Sequence, residues 1–530
     1  MVAPLLLGAS LSAPAMGQEQ TPQLARLGKV EFKVECNGAA QQGFNRAMAL
    51  YHSFAWTPAA EAFAAVGKAD PACGMAHWGH AMVMLENPFV WPGNLPSTKL
   101  DQIAALLDAA RSAGLKSARE KDYVEAIAVF VRDHDKINHR ARLQSFDEAM
   151  ARLAGRYPDD KEASILSALV TSANFDPTDK TYANQLKAAK VLEPLFIAQP
   201  DHPGVAHYLI HSYDYPAIAK HGLGAAKRYT KIAPDAPHAL HMPSHIFTRV
   251  GHWQGSIEAN RASAKAASPA AFDGHHATDY MVYAHLQLAQ DQAARQAMEQ
   301  SLAAKAVDHF GAAFAYAAMP ARLALEVGNW KAAANIALMP AASAYPWAKY
   351  PQAESINAFA RGVGAARSGD TAAANTERAR LLALRDVAKE RKLGYWAEQI
   401  DIQAQVVQGL SLLADRKANE GIEVLRAAAT REDATEKHVV TPGPLLPARE
   451  VLADILLEAG RATDAQLAYE AVLAKEPNRY RATFGAARAA RQAGNAEKAR
   501  LHFTALVELA KNADTRRDSL EEARQSLARR

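Results

Sequence analysis

The stretch ADILLEAGRATDAQLAYEAVLAKEP (453–477) reads as two short helices joined at one glycine. A segment rich in small and apolar residues runs up to Gly460, and Ala465-x-x-x-Tyr469 follows on the other side. Positions four apart share a helical face, so this pair can pack back on the first helix. Glycine at such a turn takes the left-handed conformation that ends the first helix. Pro477 stands just past the second helix, where a helix normally stops.

The same punctuation recurs. It appears in SHIFTRVGHWQGSIEANRASAKAASP (244–269) and, without the closing proline, in FGAARAARQAGNAEKARLHFTALVELA (484–510). Gly251-His252-Trp253, Gly328-Asn329-Trp330, Gly369-Asp370 and Gly494-Asn495 mark further turns, and Gly460 to Gly494 is 34 residues. Trp253 and Trp330, beside turn glycines, are read as packing residues. Alanine is abundant and no β-branched, period-two stretch stands out, so the chain is expected to be all-α. A hydrophobic fraction of 49% over 530 residues is ample for a continuous core.

These motifs resemble the tetratricopeptide repeat, a helical hairpin with a period of about 34 residues. The pattern covers most of residues 40–510. HYLIHSYD, APHALHMPSHIF and DYMVYAHLQLAQ are similar, more narrowly, to a bacterial group of large tetratricopeptide proteins. The resemblance implies a right-handed superhelical solenoid of hairpins whose first helices line a concave groove. It implies peptide or partner-protein binding as the usual role and does not by itself imply catalysis. Expected divisions are a lead-in at 18–39, N-terminal repeats at 40–200 interrupted by the Pro/Gly-rich loop 87–97, central hairpins at 201–310, C-terminal repeats at 311–512 and a charged tail at 513–530.

The central hairpins carry metal-ligand residue types in repeat register. His207 and His211 are four apart, as are His241 and His245, while His276 and Asp279 are three apart. His207 to His241, His211 to His245 and His245 to Asp279 are each 34 residues. Neighbouring helix axes in such arrays lie about 8–10 Å apart, so inward side chains from three first helices can converge. His207, His211, His241, His245, His276 and Asp279 are therefore the candidate metal ligands. Six exceed the four of a closed zinc site, so either two ions bind or some members support the others. Imidazole-rich ligation suits copper, zinc or iron, mono- or dinuclear, and a carboxylate weighs against a purely soft copper(I) site.

Asp214, His238 and Tyr280 are candidates for orienting these ligands, with helix capping the alternative for Asp214 and His238. His275 and His285 are weaker candidates. Tyr208 and Tyr283 are assigned to packing, and His52, His77 and His80, which have no 34-residue partners, to structure. Pro243, between His241 and His245, removes a backbone hydrogen bond and kinks the helix, re-aiming the two imidazoles.

Met1 to Gly17 is apolar, too short to span a membrane, and ends in Ala15-Met16-Gly17, a cleavage-like pattern. It is read as a signal peptide, although no Lys or Arg precedes the apolar run, and it implies a periplasmic or secreted protein. Cys36 and Cys73 then either pair, closing a 37-residue loop worth about 3–4 kcal/mol, or stand as two thiols. Lys and Arg (60) nearly balance Asp and Glu (56), and no aromatic-interleaved basic patch is present, so no nucleic-acid partner is expected. No later segment reaches membrane-span length.

The expectation is an exported repeat protein with a His/Asp metal centre in its concave groove, possible as an enzyme acting on a small molecule. Two alternatives stand beside it: a scaffold that binds a peptide or partner protein, and a metal store or carrier. No Ser-His-Asp order or HExxH motif sets a reaction class.

Overall fold

Helical hairpins account for most of residues 24–90 and 95–528, the part of the chain described by this computed structural model. No strand occurs among the described residues. The signal-like segment 1–17 and the tip of the loop 87–97 lie outside them. The helix Gly38–His52 packs on Trp56–Ala69, and the pattern of consecutive packing pairs continues to Tyr480–Gln492 with Ala496–Leu509. The charged C-terminal stretch holds one more helix, Asp518–Ala528, which buries Leu520 and Ala523 against the last hairpin. The chain is an all-α solenoid of tetratricopeptide-like hairpins.

The turn glycines behave as the repeat pattern requires. Gly460 has φ +76°, and Arg461 N–H closes the turn on Leu456 O at 2.8 Å. Gly251, at φ +69°, meets a second constraint, because a Cβ there would lie 2.3 Å from Pro477 O. That contact shows that the array is not an open coil. Residues 225 and 193 positions apart are joined where Trp253 Nε1 donates to Asn478 O at 2.8 Å and Tyr480 N–H donates to Gln287 Oε1 at 2.9 Å.

The described part of the lead-in before the first helix, residues 24–37, is irregular but tied to the helices behind it. Phe32 is buried against Phe44, Trp78 and Tyr123, while Gln41 and Asn45 bond the backbone of residues 32 and 34. Cys36 and Cys73 form a disulfide, with Cα atoms 5.1 Å apart.

First helices of successive central hairpins lie side by side. Pro203–Tyr213 touches both Lys161–Ala173 and Pro243–Arg249, and Pro237–His241 touches Asp273–Gln287. The expected kink is present. The stretch 237–249 is divided at Met242 into Pro237–His241 and Pro243–Arg249, and His245 N–H reaches Met242 O, a tightened turn, at 3.1 Å. Every residue of Pro203–Tyr213 is buried. At this level the groove is filled, not open. Phe54 and Phe89 pack on His211 from one side, and the non-helical segment 437–446 crosses from the C-terminal half on the other.

Candidate metal centre

Six histidines meet in the filled groove as two adjoining groups. His207, His211 and His238 form one, and His241, His245 and His276 the other; within each, the potential ligand nitrogens lie within 4.8 Å of one another. The groups are continuous, since the rings of His211 and His245 are 5.9 Å apart and those of His238 and His241 are 6.2 Å apart. Convergence follows from the repeat. Equivalent positions on adjacent first helices face the same interior.

The hydrogen bonds of the outer nitrogens fix three of the rings. His207 Nδ1 lies 2.7 Å from His52 O, a carbonyl that can only accept. His245 Nδ1 lies 2.8 Å from the Asp214 carboxylate. His241 Nδ1 lies 2.7 Å from Asn260 Oδ1, and the Asn260 amide is oriented by its own donation to Ser256 O at 2.7 Å. Each of these Nδ1 atoms carries a proton, so in the neutral ring each Nε2 presents a lone pair.

Those lone pairs have nothing suitable to meet. His241 Nε2 and His245 Nε2 face each other at 3.0 Å. Both are acceptors, so the approach is repulsive unless a cation lies between or beside them. Burial pushes the protonation of His241 and His245 below the ordinary histidine range, with His276 adding to the effect at His241 and Asp214 opposing it at His245, so a proton is a poor candidate for that cation. In the other group His207 Nε2 is 3.1 Å from His238 Nε2, a gap that one proton on His238 can bridge. His211 Nε2, however, is buried without a hydrogen-bond partner among the described residues.

Zn–N bonds of about 2.0–2.1 Å place two nitrogens of one ion about 2.9–3.4 Å apart, over the angles from square to tetrahedral. The spacing of His241 and His245 lies within that span. Three imidazoles per group, with the outer nitrogens of His207, His241 and His245 held by a carbonyl, an amide and a carboxylate, are the donor set and support that transition-metal sites use. Asp214 is itself braced. Burial alone would raise its protonation, but Lys437 (3.1 Å), Arg249 (2.8 Å) and His245 together hold it well below the usual carboxylate range.

Several expected site residues stand elsewhere. Asp279 joins neither group. Its carboxylate is engaged by Arg322, with Nε to Oδ1 at 2.8 Å and Nη2 to Oδ2 at 3.3 Å, and both side chains are buried. The same guanidinium donates to Thr441 Oγ1 and Gly443 O, so Asp279 anchors the crossing segment. The 34-residue register carried Asp279 to the right helix, but a buried arginine one hairpin further on claimed its charge. His238, expected as a supporting residue, lies within the first group. Tyr280 sets its ring against His241 and His245, while its hydroxyl donates to Val439 O and Thr441 O. His275 Nδ1 is bonded to Ser301 Oγ and His285 Nδ1 to Gln290, away from the cluster.

Sequence reasoning missed a supporting layer. His52 Nε2 and His202 Nε2 reach the two oxygens of Glu162 at 3.0 and 2.7 Å. His202 Nδ1 accepts Val205 N–H, and Tyr208 OH lies 2.7 Å from His52 Nδ1. Each ring nitrogen of the two histidines and each oxygen of Glu162 has a hydrogen-bond partner, so the trio reads as a hydrogen-bond circuit and not as a metal site. Burial would raise Glu162, but His202 and His52 more than offset it and keep the carboxyl far below its ordinary value. The circuit positions the His52 carbonyl that orients His207. Its only sequence signal was His202, which caps the helix bearing His207 and His211.

No family model matches the chain, and no curated protein matches it in sequence. Solved structures to which it is similar include yeast Tom70, at 11% identity over 92% of this chain and 89% of that one, TM-score 0.27. Human IFIT1, solved as a dimer with m7Gppp-AAAA, matches at 11% identity over 86% and 89%, TM-score 0.34. The P58(IPK) TPR domain matches at 11% identity over 93% and 99%, TM-score 0.21. Scores at that level carry no weight for what this chain binds. Its architecture rests on its own hairpins. Among the described residues no helix is long and apolar enough to cross a membrane.

Proposed function

We propose that this repeat protein is a metalloprotein whose six central histidines hold one or two transition-metal ions. The observation that carries the reading is the facing pair His241 Nε2 and His245 Nε2, 3.0 Å apart with both outer nitrogens committed as donors. Neutral, buried imidazoles are the form that binds metal, and their burial disfavours the competing proton. Zinc, copper or iron suits the all-imidazole donor set. With Asp279 engaged elsewhere, the earlier objection to copper(I) loses its carboxylate, although imidazole remains a harder ligand than thiolate.

Three protein ligands per ion leave a coordination position for water or a small substrate, and a bound metal supplies Lewis acidity or redox chemistry there. The residues of this chain hold the imidazole protons on Nδ1, through His52 O, Asn260 and Asp214, and exclude bulk water with Phe54, Phe89 and Tyr280. We propose a periplasmic or secreted location, which the Cys36–Cys73 disulfide favours.

The test is metal analysis of full-length protein equilibrated with zinc, copper or iron and then desalted. The reading predicts about one to two ions per chain, with the content falling in His241→Ala and His207→Ala. Less than about a tenth of an ion per chain in folded wild-type protein would leave a non-metal scaffold as the better account.

A further inference from the structure

A cavity of about 80 Å³ lies in the C-terminal half. Its walls come from the helices Phe310–Glu326, Pro351–Arg367 and Gly394–Ala414 and from residues 432–446. None of the six clustered histidines lines it. On this measure a water takes about 10–15 Å³, so the space suits about five to eight non-hydrogen atoms.

Acceptors are in excess on its wall. Gln352 Oε1, Gln403 Oε1 and Glu436 Oε2 are each buried and make no hydrogen bond among the described residues. Gln352 is only 7% exposed. Buried polar atoms are rarely left unpaired, and such atoms in a cavity wall point to a partner with donors to offer. The cations of the wall are already committed. Arg249 and Lys437 both bond Asp214, and Lys475 Nζ donates to Thr435 O at 3.3 Å. Aromatic rings complete the lining, with Trp396 5.0 Å from Tyr395 and 5.8 Å from Phe314 between ring centres. Of the other two carboxyls on the wall, Glu476 accepts from Tyr283 OH at 3.1 Å, and Glu432 is pushed up to about 7 by burial, so an incoming cation would favour its ionised form.

We propose that this cavity binds a small primary ammonium compound, its three N–H donors satisfied by Gln352, Gln403 and Glu436. An ammonium group carries three donors and no acceptor, matching the three unpaired oxygens, and aromatic faces attract cations. The site is separate from the histidine centre, and the inference stands whether or not a metal binds there.

The experiment is calorimetric titration of the full chain with three probes of similar size: butylammonium, 1-butanol and butyrate. Saturable binding of butylammonium is expected, at least about tenfold tighter than either comparison and about tenfold weaker in Gln352→Met and in Glu436→Gln. Circular dichroism checks that each variant is folded, and Gln403→Met replaces any that is not. Butyrate or butanol binding as tightly as butylammonium, no saturable binding to folded wild-type protein, or unchanged affinity in the folded variants would overturn the proposal.

Discussion

His241 Nε2 lies 3.0 Å from His245 Nε2, and neither nitrogen has a proton to give the other. Asn260 holds the proton of the first ring on Nδ1, and Asp214 that of the second. Two lone pairs so placed in a buried site call for a cation. The two rings stand on either side of Pro243, whose missing N–H lets the turn tighten between them.

The Asn260 amide is the most economical point at which to test this support. Asn260→Ala removes the acceptor of the His241 Nδ1 proton without touching any imidazole. Loss of such supporting bonds typically costs about 10–100-fold in metal affinity. Competition with a chelator should show that loss for zinc, with all six histidines still present.

Asp279→Asn separates stability from metal binding. The substitution leaves the Arg322 guanidinium buried without its counter-charge, a change that typically costs about 3–5 kcal/mol. Denaturant unfolding should show that loss, while metal content in the remaining folded protein stays that of wild type. A specific fall in metal content at unchanged stability would return Asp279 to the ligand set.

Gly204→Ala probes the circuit behind His207. A Cβ at residue 204 would lie 2.5 Å from His52 Nδ1, and the His52 ring is pinned by Glu162 and Tyr208. Overpacking of this kind costs about 1–3 kcal/mol. Because His52 O holds His207, we expect weaker metal binding as well as a lower melting temperature.

Glu432 makes stability depend on pH in the less common direction. Burial raises its folded value from 4.5 to about 7, with Ala448 N–H and Lys475 opposing and Glu476 and Asp433 adding to the rise. The folded state therefore holds this proton more tightly than the unfolded state. The associated stability is present below pH 4.5 and is lost as pH rises through 7, up to about 3 kcal/mol. Glu432→Gln should unfold at higher denaturant than wild type at pH 8 and lose that advantage near pH 4.5.

The glycine turns and the 34-residue period made the hairpins legible because both act through local conformation. Gly251 and Gly460 sit in the left-handed turns that their positions demanded. Register also brought His207, His211, His241, His245 and His276 together, since equivalent positions of adjacent repeats share a face. What sequence spacing could not carry was contact made at long range. Lys437 reaches Asp214 across 223 residues, Arg322 takes Asp279 across 43, and Glu162 binds His52 across 110. Each is a pairing of buried charge or hydrogen-bonding capacity decided by the packed interior. His238, a candidate for orienting the ligands or capping a helix, is turned by the short helix Pro237–His241 toward His207 instead.

Anomalous diffraction from crystals of metal-loaded protein, collected at the absorption edge of the metal supplied, locates any ion held between His241 and His245. A peak about 2.0–2.1 Å from both His241 Nε2 and His245 Nε2 is predicted for zinc. No peak there in crystals grown with excess metal, with the two nitrogens still in close approach, would contradict it.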